Sequence, residues 1–125
     1  MSFKPDNFTV WMEIPVTDLD RAIIYYNAVT NVGLVRDDSG PNPMATFMAD
    51  GPMEAVRGHL YPGKPAARGT GATIHMASPG KLEDTLARVA GAGGEVVSDP
   101  IALPMGRFAY TLDPDGNSIG FFESN

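Results

Sequence analysis

The chain contains no cysteine, which excludes disulfides, thiolate metal sites and a cysteine nucleophile. It has no apolar run approaching the roughly 18 residues that a membrane span needs. The lead-in MSFKPDNFT lacks an apolar stretch, so no signal peptide is expected. Basic residues are few: nine Lys and Arg stand against fifteen Asp and Glu, a net charge of -6. Nucleic-acid binders concentrate cations to neutralise phosphates, so this balance argues against such a partner and equally against an anionic membrane surface. There is no phosphate-binding loop, because GAGG follows a helical pattern rather than opening one. No serine sits in a nucleophile elbow, and no histidine pair has helical zinc spacing. Histidine occurs twice, at His59 and His75, and tryptophan once, at Trp11. These features together suit an acidic cytoplasmic protein.

What is present is a repeated grammar. In VWMEIPVTDLDRAIIYYNAV, Met12, Ile14 and Val16 alternate with Trp11, Glu13 and Pro15, as in a half-buried strand. Thr17 or Asp18 can cap a helix, with Asp20 adding negative charge in its first turn. Leu19, Ala22, Ile23, Tyr26 and Val29 then give that helix one apolar face, which packs on the Met12/Ile14/Val16 side of the strand. The opposite side, carrying a tryptophan and a carboxylate, is left to line something else. ATIHMA repeats the alternation, setting Ile74 and Met76 against Thr73, His75 and Ala77. KLEDTLARVA is a second amphipathic helix, and Gly91, Gly93 or Gly94 can supply the left-handed residue that stops it. Short apolar runs between turn signals follow each helix, so the chain reads as two copies of strand, helix, then several strands.

In order along the chain, Leu34 to Arg36 begins a strand and Asp37 to Pro43 is a turn cluster. Met44 to Ala49 and Met53 to Tyr61 read as strands, with Gly58 marking a bulge or the close approach of a ligand. The expected division is a first module over 1–61, a linker over 62–71 and a second module over 72–125. Glu95 to Ser98 is a short strand, and Asp99 to Gly106 a proline-punctuated loop able to fold over a pocket. RFAYTL and SIGFFE are strands joined by the turn DPDGN, with Pro114 at its corner and Gly116 free to take positive φ. The predicted class is α+β.

Three stretches carry a family likeness: EIPVTDLDRAIIYY, LARVAGAGGEVV and GRFAYTLDPDGNSIGFFE. The chain resembles the vicinal oxygen chelate superfamily, which includes glyoxalase I, extradiol dioxygenases and bleomycin-resistance proteins. The resemblance implies paired βαβββ modules whose sheets curl into a cup, helices outside, and frequent homodimers. In metal-dependent members it implies four ligands, usually His and Glu, on the first and last strands of each module. Here those positions fall on Trp11, on Gly58 or His59, on Thr73 or Ile74, and on Gly120. Trp and Gly side chains cannot ligate a metal, so no cofactor is expected.

By strand parity Glu13 and His75 point into the cup, and His59 joins them unless a bulge turns it outward. Glu13 and His75 are the candidate catalytic pair, a general base with a partner that titrates near neutrality. His59, His75 and Glu13 form a weaker metal candidate, for zinc, nickel, iron or manganese. The plainer alternative makes Glu13 a buried carboxylate bonded to backbone or to Arg107. Trp11 either stacks on a planar ligand or fills the volume of the missing metal. Gly120 leaves room beside Phe122, which suits a planar or apolar ligand. Tyr61, Phe108 and Tyr110 add aromatic surface, with core packing expected for at least two. Met44, Met48, Met53, Met76 and Met105 supply adaptable wall or core filler, and Arg107 is the cation placed to meet an anionic ligand. The expected ligand set is therefore Trp11, Glu13, His59, His75, Arg107, Tyr110, Gly120 and Phe122. The expected function is a bleomycin-resistance-like protein that holds a small organic molecule. The alternatives are a metal-dependent lyase, isomerase or dioxygenase, and an accessory interaction module.

Overall fold

The computed structural model describes residues 2–52 and 55–125. Its elements run β1 (Trp11–Val16), α1 (Leu19–Thr30), β2 (Ala45–Phe47), β3 (Arg57–Pro62), β4 (Thr73–Ala77), α2 (Leu82–Gly91), β5 (Glu95–Val96), β6 (Ile101–Leu103), β7 (Gly106–Leu112) and β8 (Ser118–Ser124). This is the expected α+β pair of strand-helix-strand modules. The first sheet has the order β1-β3-β2 and the second β4-β8-β7-β5, with β6 also on β7. In each module the first strand pairs parallel with the last, β1 with β3 and β4 with β8. That pairing needs a crossover, and the helix supplies it.

Helix α1 starts where the Asp18 side chain accepts the Arg21 N–H, and it ends on Asn31 at φ 57°. Its buried residues are Leu19, Ala22, Tyr25, Tyr26 and Val29, so Tyr25 takes the fully buried place expected for Ile23, which packs at the rim of the core. Lys81 gives α2 no side-chain cap. Instead the Glu123 carboxylate, reaching from β8, accepts the Leu82 N–H at 2.9 Å. Gly93, at φ 103°, supplies the left-handed residue behind α2. The two helices lie on one side of the sheets, where Ile14, Val16, Leu60, Ile119 and Phe121 join Tyr26, Leu82 and Val89 in one core. Alternation along the strands then sends Trp11, Glu13, His59, His75 and Tyr110 to the other, concave side.

Three expected segments differ. Leu34 is buried but begins no strand. The Asn27 side chain accepts its N–H at 2.6 Å and donates to its carbonyl at 3.0 Å, which leaves only an isolated Asp37–Met44 bridge there. Asp99 to Gly106 is not wholly a loop: Ile101 and Leu103 pair with Phe108 and Gly106, leaving Pro100 and Pro104 outside the ladder. Gly58 makes no bulge, since the β1–β3 register runs unbroken from Trp11–Arg57 to Val16–Pro62. What approaches Gly58 closely is Met12 of β1. Met53 and the expected strand start there lie outside the described residues.

The DPDGN turn ties the modules together. Gly116 takes φ 85°, and Asp113, 1% exposed, accepts a hydrogen bond from the Tyr26 hydroxyl of α1 at 2.7 Å. Burial, then the Asp113 charge, raises the Tyr26 phenol well above its ordinary value. Asn117 donates to the Pro15 carbonyl at 2.9 Å, and Asp115 pairs with Arg21 at 2.9 Å.

Arg107 holds a second junction, donating to Glu83 of α2 at 2.5 and 2.6 Å and to Glu123 at 2.8 Å. These bonds lower the Glu83 carboxyl from 4.5 to about 2; the Leu82 N–H, then Arg107, lowers Glu123. A carboxylate depressed in the fold adds stability above its unfolded pKa, and that stability fades as pH falls through the folded value. The expected result is a decline in thermal midpoint from about pH 4.5 toward pH 2 that flattens in Arg107→Met. Parallel curves for the two proteins would show the pairing to be without effect on stability.

Candidate functional site

The concave side carries one aromatic group per module. In the first, the Trp11 indole N–H donates to His59 Nδ1 at 3.0 Å. That bond makes Nδ1 the acceptor and leaves the neutral ring's proton on Nε2. Nε2 stands 3.4 Å from Glu13 Oε1. The Tyr61 ring meets His59 edge-on, with centroids 5.8 Å apart. His59 is nearly covered, its side chain 12% exposed, whereas that of Glu13 is 63% exposed. A cleft of about 440 Å³ opens beside them, lined by Glu13, Asn42, Pro43, Met44, His59, Tyr61 and Pro62.

The β1–β3 register explains this assembly. Glu13 pairs with His59 and Trp11 with Arg57, so all four leave the sheet on the same side. The Arg57 guanidinium turns to the preceding loop and donates to the carbonyls of Ala49, Gly51, Pro52 and Ala55.

In the second module, His75 pairs in register with Gly120, which in turn faces Tyr110 on β7. With no side chain at Gly120, the His75 ring lies over it and meets Phe108 at 5.2 Å and Tyr110 at 5.8 Å. Phe122 sits across from Phe108 on the same side. The open room expected at Gly120 is therefore filled by His75. A second cleft of about 450 Å³ lies at the seam between the sheets, among Met12, Thr30, Val32, Phe47 and the segment from His75 to Pro79.

Several expected contacts are not made. Glu13 pairs with His59 and not with His75, because the two histidines belong to different modules. Arg107 leaves the ligand set. Phe108 and Tyr110 take the concave side, so Arg107 faces α2, where Glu83 and Glu123 hold it. Tyr61, Phe108 and Tyr110 all line the concave side, and none belongs to the core cluster. Of the methionines, Met44 lines the Glu13 cleft and Met76 the seam, while Met48 and Met105 are exposed. The Trp11–His59 bond had no local signal, since its partners are 48 residues apart.

The donors do not fit the metal site that the family resemblance implies. The His59 nitrogen that carries a lone pair is engaged by Trp11. A side chain at Gly120 would collide with the His75 ring. Among the described residues, no three of His, Asp and Glu converge on one point.

Comparison with known proteins agrees with this architecture. The sequence profile of the glyoxalase/bleomycin resistance protein/dioxygenase superfamily matches residues 9–121. A glyoxalase/bleomycin resistance protein from Albidiferax ferrireducens superposes with a TM-score of 0.73 at 21% identity, over 95% of this chain and 100% of that one. An antibiotic binding protein from a Streptomyces species gives 0.65 at 22% identity, over 98% and 100%. A mutant of glyoxalase I from Zea mays gives 0.69 at 19% identity, over 90% of this chain and 44% of that one. No functionally curated protein matches the sequence. At these identities the structural likeness is one of fold, whereas the profile spans nearly the whole chain. The chain belongs to the glyoxalase/bleomycin resistance protein/dioxygenase superfamily.

Proposed function

We propose that this protein binds a small planar organic molecule on its concave side, without a chelated metal. The carrying observation is that both histidines are built into aromatic groups, His59 through the Trp11 N–H and His75 over Gly120. Rings presented edge and face on a partly exposed surface suit stacking on a flat ligand. The likeness to an antibiotic binding protein of this fold supports the same reading. Glu13 and His59 are the one acid-base pair on this side among the described residues, and Trp11 already occupies the His59 lone pair. The reading includes a cytoplasmic homodimer, for which Phe3, Phe8 and Val10, all exposed ahead of β1, offer apolar surface.

The test follows the fluorescence of Trp11, the single tryptophan, as planar aromatic compounds are added before and after EDTA. Elemental analysis and sedimentation use the same sample. Saturable quenching indifferent to chelator is the expected result. Stoichiometric zinc, nickel, iron or manganese that is lost in His59→Ala or His75→Ala would replace this reading with a metalloenzyme.

A further inference from the structure

The ligand's charge can be inferred from the same surface, on the premise that the concave side binds a small molecule. We propose that the ligand is an organic cation, a flat ring system bearing a protonated amine, with the amine seated against Glu13. Glu13 is the acidic side chain of the first-module cleft. Among the described residues no lysine or arginine forms an ion pair with it; its partner there is His59, through Oε1 alone. The Glu13 side chain is 63% exposed, so its carboxylate can be reached from solvent.

The surroundings point the same way. His59 and Tyr61 line this cleft with ring centroids 5.8 Å apart, and Trp11 packs on His59 from beside it at 5.7 Å. Aromatic faces attract an ammonium through the ring quadrupole, best where water is partly displaced. Met44 and Asn42, which also line the cleft, add a thioether and an amide oxygen, both acceptors.

Among the residues that line this cleft there is no lysine or arginine to anchor an anion. Arg107 is clamped by Glu83 and Glu123 on the helix side. Arg57 points its guanidinium into the carbonyls of the loop before it. Arg21, Arg36 and Arg68 pair with Asp115, with Asp20 and Asp38, and with Glu95. The net charge of -6 adds a long-range pull on cations and repels anions.

The experiment is isothermal titration calorimetry with three probes of one shape: naphthylmethylammonium, naphthylmethanol and naphthoate. The ammonium is expected to bind about tenfold tighter than the alcohol, the worth of one cation–π and carboxylate contact, and the carboxylate weakest of all. Glu13→Gln should erase the preference of ammonium over alcohol. Asp20→Asn removes the same charge from α1 and should leave it intact. Equal binding of all three probes, a preference for naphthoate, or an unchanged preference in Glu13→Gln would overturn the inference while leaving a ligand site in place. Binding of none of the three would overturn the binding reading and the inference with it.

Discussion

Replacing Asp113 with alanine is expected to destabilise the fold by about 3–5 kcal/mol, the range for stripping a buried group of several partners. Asp113 is 1% exposed and its two oxygens accept four hydrogen bonds. Oδ1 takes the backbone N–H groups of Asp115 and Asn117, and Oδ2 takes the Asn117 amide and the Tyr26 hydroxyl. Alanine would leave the Tyr26 hydroxyl buried without a partner, at 0% exposure. It would also loosen the turn whose Asn117 and Asp115 grip Pro15 and Thr17 of the first module. Tyr26→Phe removes donor and hydroxyl together and leaves Asp113 three donors, so about 1 kcal/mol is expected. Urea denaturation of both variants and of the double variant checks the claim. A loss below 1 kcal/mol for Asp113→Ala, or additive losses in the double variant, would mean that the turn does not couple the modules.

That turn was legible, because proline, aspartate and glycine each have a local reason to be there. So were the strand-helix starts, because period 2 giving way to period 3.6 is a local pattern. Parity placed Glu13, His59 and His75 on one side, since each lies inside a strand whose alternate positions are buried or half-buried. Arg107 was placed by its strand and not by parity; three residues from Tyr110, it falls on the opposite face. The failure at Leu34 has a different origin. Asn27 satisfies both backbone groups of a residue seven positions on, and nothing in the apolar pattern announces a side chain that substitutes for a ladder. The Trp11–His59 bond depends on the parallel register of β1 and β3, which is a tertiary fact.

Gly58 on the helix side of β3 and Gly120 on the concave side of β8 separate fold from site, and their alanine variants should differ accordingly. Neither Gly58 nor Gly120 has positive φ, so only space decides. A Cβ at Gly58 would strike the Met12 side chain and its carbonyl, and lie 3.1 Å from the Met12 carbonyl carbon. Backbone cannot step aside without parting β1 from β3, so Gly58→Ala is expected to cost about 3 kcal/mol. It should also break the Trp11–His59 contact, seen as a shift in tryptophan emission. The three atoms nearest a Cβ at Gly120 all belong to the His75 ring, the end of an exposed side chain that can change rotamer. Gly120→Ala is therefore expected to stay within about 1 kcal/mol of the parent while the His75 imidazole signals lose their ring-current shifts from Phe108 and Tyr110. If Gly120→Ala costs as much as Gly58→Ala, the His75 ring is locked in place and the second aromatic group is part of the fold's framework. If it costs little and the ring swings away, the group over Gly120 is adjustable, as a surface that closes on a flat ligand must be.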